Sequence, residues 1–207
     1  RSSTTDLPGV IREETRANSR AAEQLRSLRA EVDALSAQQA PGDRRVAQLT
    51  AAADRLALAA GTEPVTGPSV TVTLTDAKSV PSVIPRDFTV DDYVVHQQDV
   101  QAVVNALWRG GAEAMMLMDQ RVISTSAVRC VGNTLILQGR VYSPPYVITA
   151  MGDPAALQAS LNSSPNVTIY RQWVDAVGLG YDVATHARQT FPAFAGSLQL
   201  QYAKAAR

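Results

Sequence analysis

Four apolar residues, Leu25, Leu28, Val32 and Leu35, recur at a 3-4-3 spacing within residues 10–39. On a helix that spacing aligns them as one narrow seam. Ala17 and Ala21 extend the seam weakly toward the N-terminus. Around it lie Arg12, Glu13, Glu14, Arg16, Arg20, Glu23, Arg26, Arg29, Glu31 and Asp33, a solvated surface of mixed sign. Thirty helical residues make a rod about 45 Å long. A stripe this narrow does not stabilise a lone helix in water, so the rod needs a partner. Pro41-Gly42 interrupts it, and Val46, Leu49, Ala53, Leu56 and Ala60 then mark a second helix over Asp43–Ala60, with Gly61 as its stop. The two helices fold back as a hairpin or continue as an interrupted coiled coil between chains. The narrowness of the first stripe favours self-association through Leu25, Leu28, Val32 and Leu35.

The texture changes at "TEPVTGPS", residues 62–69, a proline- and glycine-rich linker that divides a helical stalk (1–61) from a second domain (62–207). Val70, Val72 and Leu74 alternate with threonines as a half-buried strand. Residues 77–90, with Pro81 and Pro85, read as an irregular loop. A helix follows at "HQQDVQAVVNALWR", then strands at "AEAMMLM", "RVISTSAVR", "NTLILQ" and "YVITAM". Asp153-Pro154 starts a short helix over 153–162, with the aspartate as its cap and the proline at its first position. "NVTIYRQWV", "LGYDVATHA" and "SLQLQYA" are expected to close the sheet as strands. The order predicts an α+β domain, a ferredoxin-like (split βαβ) sandwich with extra strands, preceded by a helical coiled-coil segment.

With 207 residues, 45% hydrophobic and 18% charged, the chain can bury one good core. Its 19 basic and 19 acidic residues cancel without a block of either sign, which argues against a nucleic-acid partner. Only Lys78 and Lys204 are lysines. Arginine dominance beside so much alanine reads as codon bias in a GC-rich genome rather than phosphate recognition. Cys130 is the single cysteine, so an intrachain disulfide and a cysteine-based zinc site are excluded. No run approaches the roughly 20 apolar residues of a membrane span. The chain opens "RSSTTDLPGV" without a methionine and reads as a piece of a longer protein, which leaves room for an anchor or signal upstream of Arg1.

Chemistry-bearing residues are sparse. A metal site drawn from His96, His186, Asp99 and Asp182 lacks HxH or HExxH spacing. A triad from Ser124 or Ser126 with His96 and Asp99 lacks the Gly-x-Ser-x-Gly elbow. "GLG" at 178–180 reads as a turn, since the third glycine and following helix of a dinucleotide fingerprint are missing. Glycosylation-type tripeptides at Asn162 and Asn166 are short enough to arise by chance. Met115, Met116 and Met118 are best read as packing residues, and Trp108 and Trp173 as core edges. Pro144 and Pro145 in "YSPPYVI" define a rigid loop, with room for a cis bond, that offers an interaction surface and no reactive group. Asp99 falls in the first turn of a helix whose Val100, Val103, Val104 and Leu107 share one face, where a carboxylate gains about 0.3–1 kcal/mol from the helix dipole. Gly110-Gly111 ends that helix. His96 alone is unexplained by the helix and stays a candidate.

The segments "VHQQD", "VNALW", "GGAEA", "RVISTSA", "RCVGN" and "ITAMGDP" together resemble the YlxW/YlxX-type domain-of-unknown-function family of Gram-positive and actinobacterial envelope proteins. The resemblance runs over roughly residues 10–205. It implies a membrane helix upstream, a coiled coil, a ferredoxin-like extracytoplasmic domain, and a link to cell division and cell-wall synthesis. It implies no catalytic residue and no cofactor. The expectation is therefore a non-enzymatic, membrane-anchored, homo-oligomeric interaction module working with division or envelope proteins. The competing expectation is a small-ligand-binding or enzymatic domain, with a pocket where His96 and Asp99 meet Arg121 or Arg129 beside the Pro144-Pro145 loop.

Overall fold

The computed structural model describes residues 7–39, 44–131, 134–196 and 198. Two helices, α1 (Leu7–Gln39) and α2 (Arg44–Ala60), precede an α+β domain. α2 ends where expected. Gly61 takes φ +72° and its N–H reaches the Leu58 carbonyl, while Thr62 N–H donates to Ala57. A Cβ at Gly61 would lie 2.8 Å from Ile123 Cγ2, so glycine is required for space as well as for conformation. Ser36 and Asp33 of α1 line one cleft with Thr50, Ala53 and Asp54 of α2, so the helices fold back toward each other. No helix among the described residues is long and apolar enough to cross a membrane.

Instead of a linker through residue 69, the chain enters β1 (Val65–Thr75) almost at once. Pro68 and Gly67 do not stop the strand, because a register shift between Gly67 and Ser69 absorbs them against β8 (Gly180–Phe191). Val70, Val72 and Leu74 are fully buried, as their alternation predicts. β1 also pairs with β7 (Tyr146–Met151), and beyond it lie β2 (Ala114–Leu117) and β3 (Gln120–Val122). The order is β3-β2-β7-β1-β8, every neighbouring pair antiparallel. α3 (Gln97–Arg109), α4 (Pro154–Ser163) and α5 (Pro165–Val177) pack together over this sheet. Their Val103, Leu107, Leu157, Leu161, Val167 and Tyr170 share one core with Val72, Met115 and Ile148.

"RVISTSAVR" is two strands, not one. Ser126 Oγ accepts from the Ile123 N–H and turns the chain after β3, and β4 (Val128–Val131) joins a separate sheet, β4-β5-β6, with β5 (Thr134–Leu137) and β6 (Arg140–Tyr142). "NVTIYRQWV" is α5 rather than a strand. Val167, Tyr170, Val174 and Val177 recur at 3-4-3 spacing, and Pro165 sits at its start, a combination that outweighs the β-branched composition. α5 closes at Gly178 (φ +82°), the expected turn. Asp153 caps α4, accepting from Ala155 N–H at 3.1 Å. The closing strand expected at "SLQLQYA" lies almost wholly outside the described residues.

Candidate functional site

The His96–Asp99 stretch is built as a helix start. His96 is extended (φ −100°, ψ 161°), and its backbone N–H donates to Asp99 Oδ2 at 2.8 Å. Burial raises the Asp99 pKa, opposed by that hydrogen bond and by the neighbouring His96 ring. The His96 ring faces backward: Nε2 lies 3.0 Å from the Asp91 carbonyl oxygen and 3.7 Å from its carboxylate. Just upstream, Asp92 Oδ2 accepts from both Thr89 N–H and Thr89 Oγ–H. The histidine therefore ties the 3-10 turn Val90–Tyr93 to the start of α3.

His96 and Asp99 share a cleft of about 300 Å³ with Asp91, Asp92, Tyr170 and Trp173. Neither Arg121 nor Arg129 lines it, and neither Pro144 nor Pro145 does. Ser124 and Ser126 line a different cleft, and His186 contacts Thr71 Oγ1 on the sheet. The residues needed for a His96-centred reaction are thus dispersed. Among the described residues no three His, Cys, Asp or Glu side chains are grouped to hold a metal. The Pro144–Pro145 bond is cis, at the mouth of β7.

Gln97 escaped the sequence reading. Its amide donates from Nε2 to the Val128 carbonyl (3.1 Å) and accepts at Oε1 from the Cys130 N–H (3.0 Å). It thereby acts as a substitute strand on the edge of β4 and joins the small sheet to α3. Gln120 makes the second join, from Nε2 to the Leu137 carbonyl (3.2 Å) and to Tyr142 Oη (2.8 Å). Tyr142 Oη–H donates to Asp119 Oδ1, Arg140 Nη1 pairs with Asp119 Oδ2, and the Arg140 guanidinium lies over the Tyr142 ring. Burial first, then the bond to Asp119, pushes the Tyr142 phenol up to about 12. No pattern in a single sequence announces such glutamines, since each is an ordinary polar residue until its partner strand is placed.

α1 meets the body through Asn18 Nδ2–H, which donates to the Gly139 carbonyl. Its seam is left uncovered: Leu25, Leu28, Val32 and Leu35 are 37%, 52%, 60% and 52% exposed. On α2, Leu49 and Leu56 share one exposed face, while Leu58 turns toward the body beside Gly61 and Trp108. At the other end, Trp108 is 41% exposed over an apolar groove with Val100, Val104 and Val128.

Comparison with known proteins agrees with the resemblance seen in the sequence. The model of a family described as "Bacterial protein of unknown function (DUF881)" matches residues 52–204. The UPF0749 protein Rv1823 of Mycobacterium tuberculosis is 32% identical over 184 residues, covering 86% of this chain and 59% of that protein. The UPF0749 protein YlxW of Bacillus subtilis is 38% identical over 98 residues, covering 47% and 41% of the two chains. The chain therefore spans less than two thirds of the curated relatives it matches. A crystal structure of an uncharacterized conserved protein from Mycobacterium tuberculosis superimposes with a TM-score of 0.55 at 28% identity, over 74% of this chain and 99% of that one.

Proposed function

Since this chain belongs to the DUF881 family of bacterial proteins of unknown function, we propose that it is a non-enzymatic interaction module that self-associates through α1 and α2. In this reading a segment preceding Arg1 holds it at the membrane, and the α+β domain faces partners outside the cytoplasm in division or wall assembly. The observation that carries the reading is the uncovered seam on α1. Ferredoxin-like architecture for the domain is supported by the strand order β8-β1-β7-β2, in which two helix-bearing crossovers each skip one strand and pack on the same face.

Fully burying a Leu or Val side chain contributes about 1.5–3 kcal/mol, so side chains already half covered contribute about 1 kcal/mol each. Leu25, Leu28, Val32, Leu35, Leu49 and Leu56 then supply roughly 12 kcal/mol across two copies, against an association cost of about 4–15 kcal/mol. The expected behaviour is a concentration-dependent equilibrium rather than an obligate oligomer. Sedimentation velocity over rising concentration tests it. A shift to a larger species that disappears in Leu28→Asp/Val32→Asp supports the seam. A monomer at every concentration with α-helical content intact removes it.

A further inference from the structure

Arg121 on β3 is 5% exposed, yet no carboxylate pairs with it among the described residues. Its Nη1–H donates to the Pro192 carbonyl at 3.2 Å, while Nε is buried without a partner. Arg140 on β6 gives Nη1 to Asp119 but likewise keeps a buried, unpartnered Nε. Both line one cleft of about 600 Å³ between α1 and the corner where β3 meets the β5–β6 turn. Arg26 of α1, itself paired with Glu23, closes the cleft, and among the described residues Asp119 is the one carboxylate on its lining. A buried cation without a counter-charge is costly, and almost every such group in folded proteins is paired. Burial accordingly lowers the Arg121 pKa with no attraction opposing it.

The neutral donors around the cleft are already committed to its walls. Asn18 donates to the Gly139 carbonyl, Gln120 to Leu137 and Tyr142, and Gln138 to the Arg121 carbonyl. The guanidinium groups are only partly spent: Arg26 pairs with Glu23 and Arg140 with Asp119, while Arg121 gives one hydrogen bond to a carbonyl and has no carboxylate among the described residues. We propose that this cleft binds a phosphate group, seated between Arg121 and Arg140 with Arg26 at the rim. Two guanidinium groups offer more donors than the two oxygens of a carboxylate accept, whereas a phosphate monoester brings three oxygens to them. The space exceeds inorganic phosphate and suits a small phosphate ester or the headgroup of a phospholipid.

The test uses the full chain. Thermal unfolding is followed with inorganic phosphate, glycerol 3-phosphate and acetate, each at ionic strength matched with chloride, and sedimentation is measured with phosphatidylglycerol or phosphatidylcholine vesicles. Phosphate and glycerol 3-phosphate are expected to raise Tm where acetate does not. The apparent Kd should weaken at least tenfold in Arg140→Gln and stay unchanged in Arg188→Gln, which removes an equal charge from the exposed face of β8. Arg140 is only partly buried, so that variant keeps the fold, and circular dichroism checks it. Arg121→Lys is a second variant, retaining the charge but losing the fork. Arg140-dependent sedimentation with phosphatidylglycerol alone identifies a lipid headgroup; binding of the soluble ester without sedimentation identifies a free phosphate ester. Equal response to acetate, no response beyond chloride, or a response untouched in Arg140→Gln overturns the proposal.

Discussion

Replacing Gln97 with alanine removes both hydrogen bonds that cover the outer edge of β4. A net hydrogen bond contributes about 0.5–1.5 kcal/mol, and leaving a buried partner unpaired adds about 1–3. That second penalty largely falls away here, because Arg129, Cys130 and Val131 are exposed and water takes over the freed edge. The expected cost is about 1–2 kcal/mol in all. It should be local, since β4 meets the main domain chiefly through this amide and α3. Amide hydrogen exchange reads it directly: the Cys130 N–H should exchange about 5- to 30-fold faster, the factor that one to two kcal/mol corresponds to. Amides of β1 and β7 should keep their protection. Gln97→Glu retains the acceptor for Cys130 and loses the donor for Val128, so Cys130 should stay slower there than in Gln97→Ala. Unchanged exchange at Cys130 in Gln97→Ala refutes the clamp.

Asp99→Ala should cost about 0.5–2 kcal/mol through loss of the cap, with Asp99→Asn costing much less because its amide oxygen still accepts from His96 N–H. The folded state holds the Asp99 proton more tightly than the unfolded chain, so its stability contribution is present at low pH and lost as pH rises through the raised pKa. Denaturation of wild type and Asp99→Asn across pH 3–7 should therefore show wild type losing ground as pH climbs. Tyr142→Phe should destabilise by about 0.5–1.5 kcal/mol by stripping a donor from the half-exposed Asp119 carboxylate, measured by urea unfolding. In the intact protein that contribution holds below pH 10 and is lost as the phenol titrates toward about 12, which ultraviolet absorbance follows.

Where local rules decided the outcome, the sequence was legible. Val70, Val72 and Leu74 alternate and are buried; Asp153-Pro154 starts α4; Gly61 and Gly178 end helices with positive φ. α5 was misread because Val167, Thr168 and Ile169 favour strands locally, whereas the stripe that decides the matter needs ten residues to emerge. The split of "RVISTSAVR" turned on one Ser126 hydroxyl. His96 was left over once the helix was assigned; it proves to be the N-cap residue of α3, and its contact with Asp91 depends on a 3-10 turn that no periodicity announces. From the sequence, Arg121 stood out only as a possible neighbour of His96. Its burial comes from Gly61, the Pro192 carbonyl and α1, three segments far apart in sequence, so only the fold reveals it.

The seam is tested most directly by thiol crosslinking in a Cys130→Ser background. Position 28 lies on the stripe, and position 30 points away from it on the same helix. The account predicts that Leu28→Cys forms a disulfide-linked dimer on mild oxidation, since two seam positions facing each other bring their Cα atoms within disulfide reach, while Ala30→Cys does not. Equal crosslinking at both positions, or none at position 28 at any concentration, contradicts it.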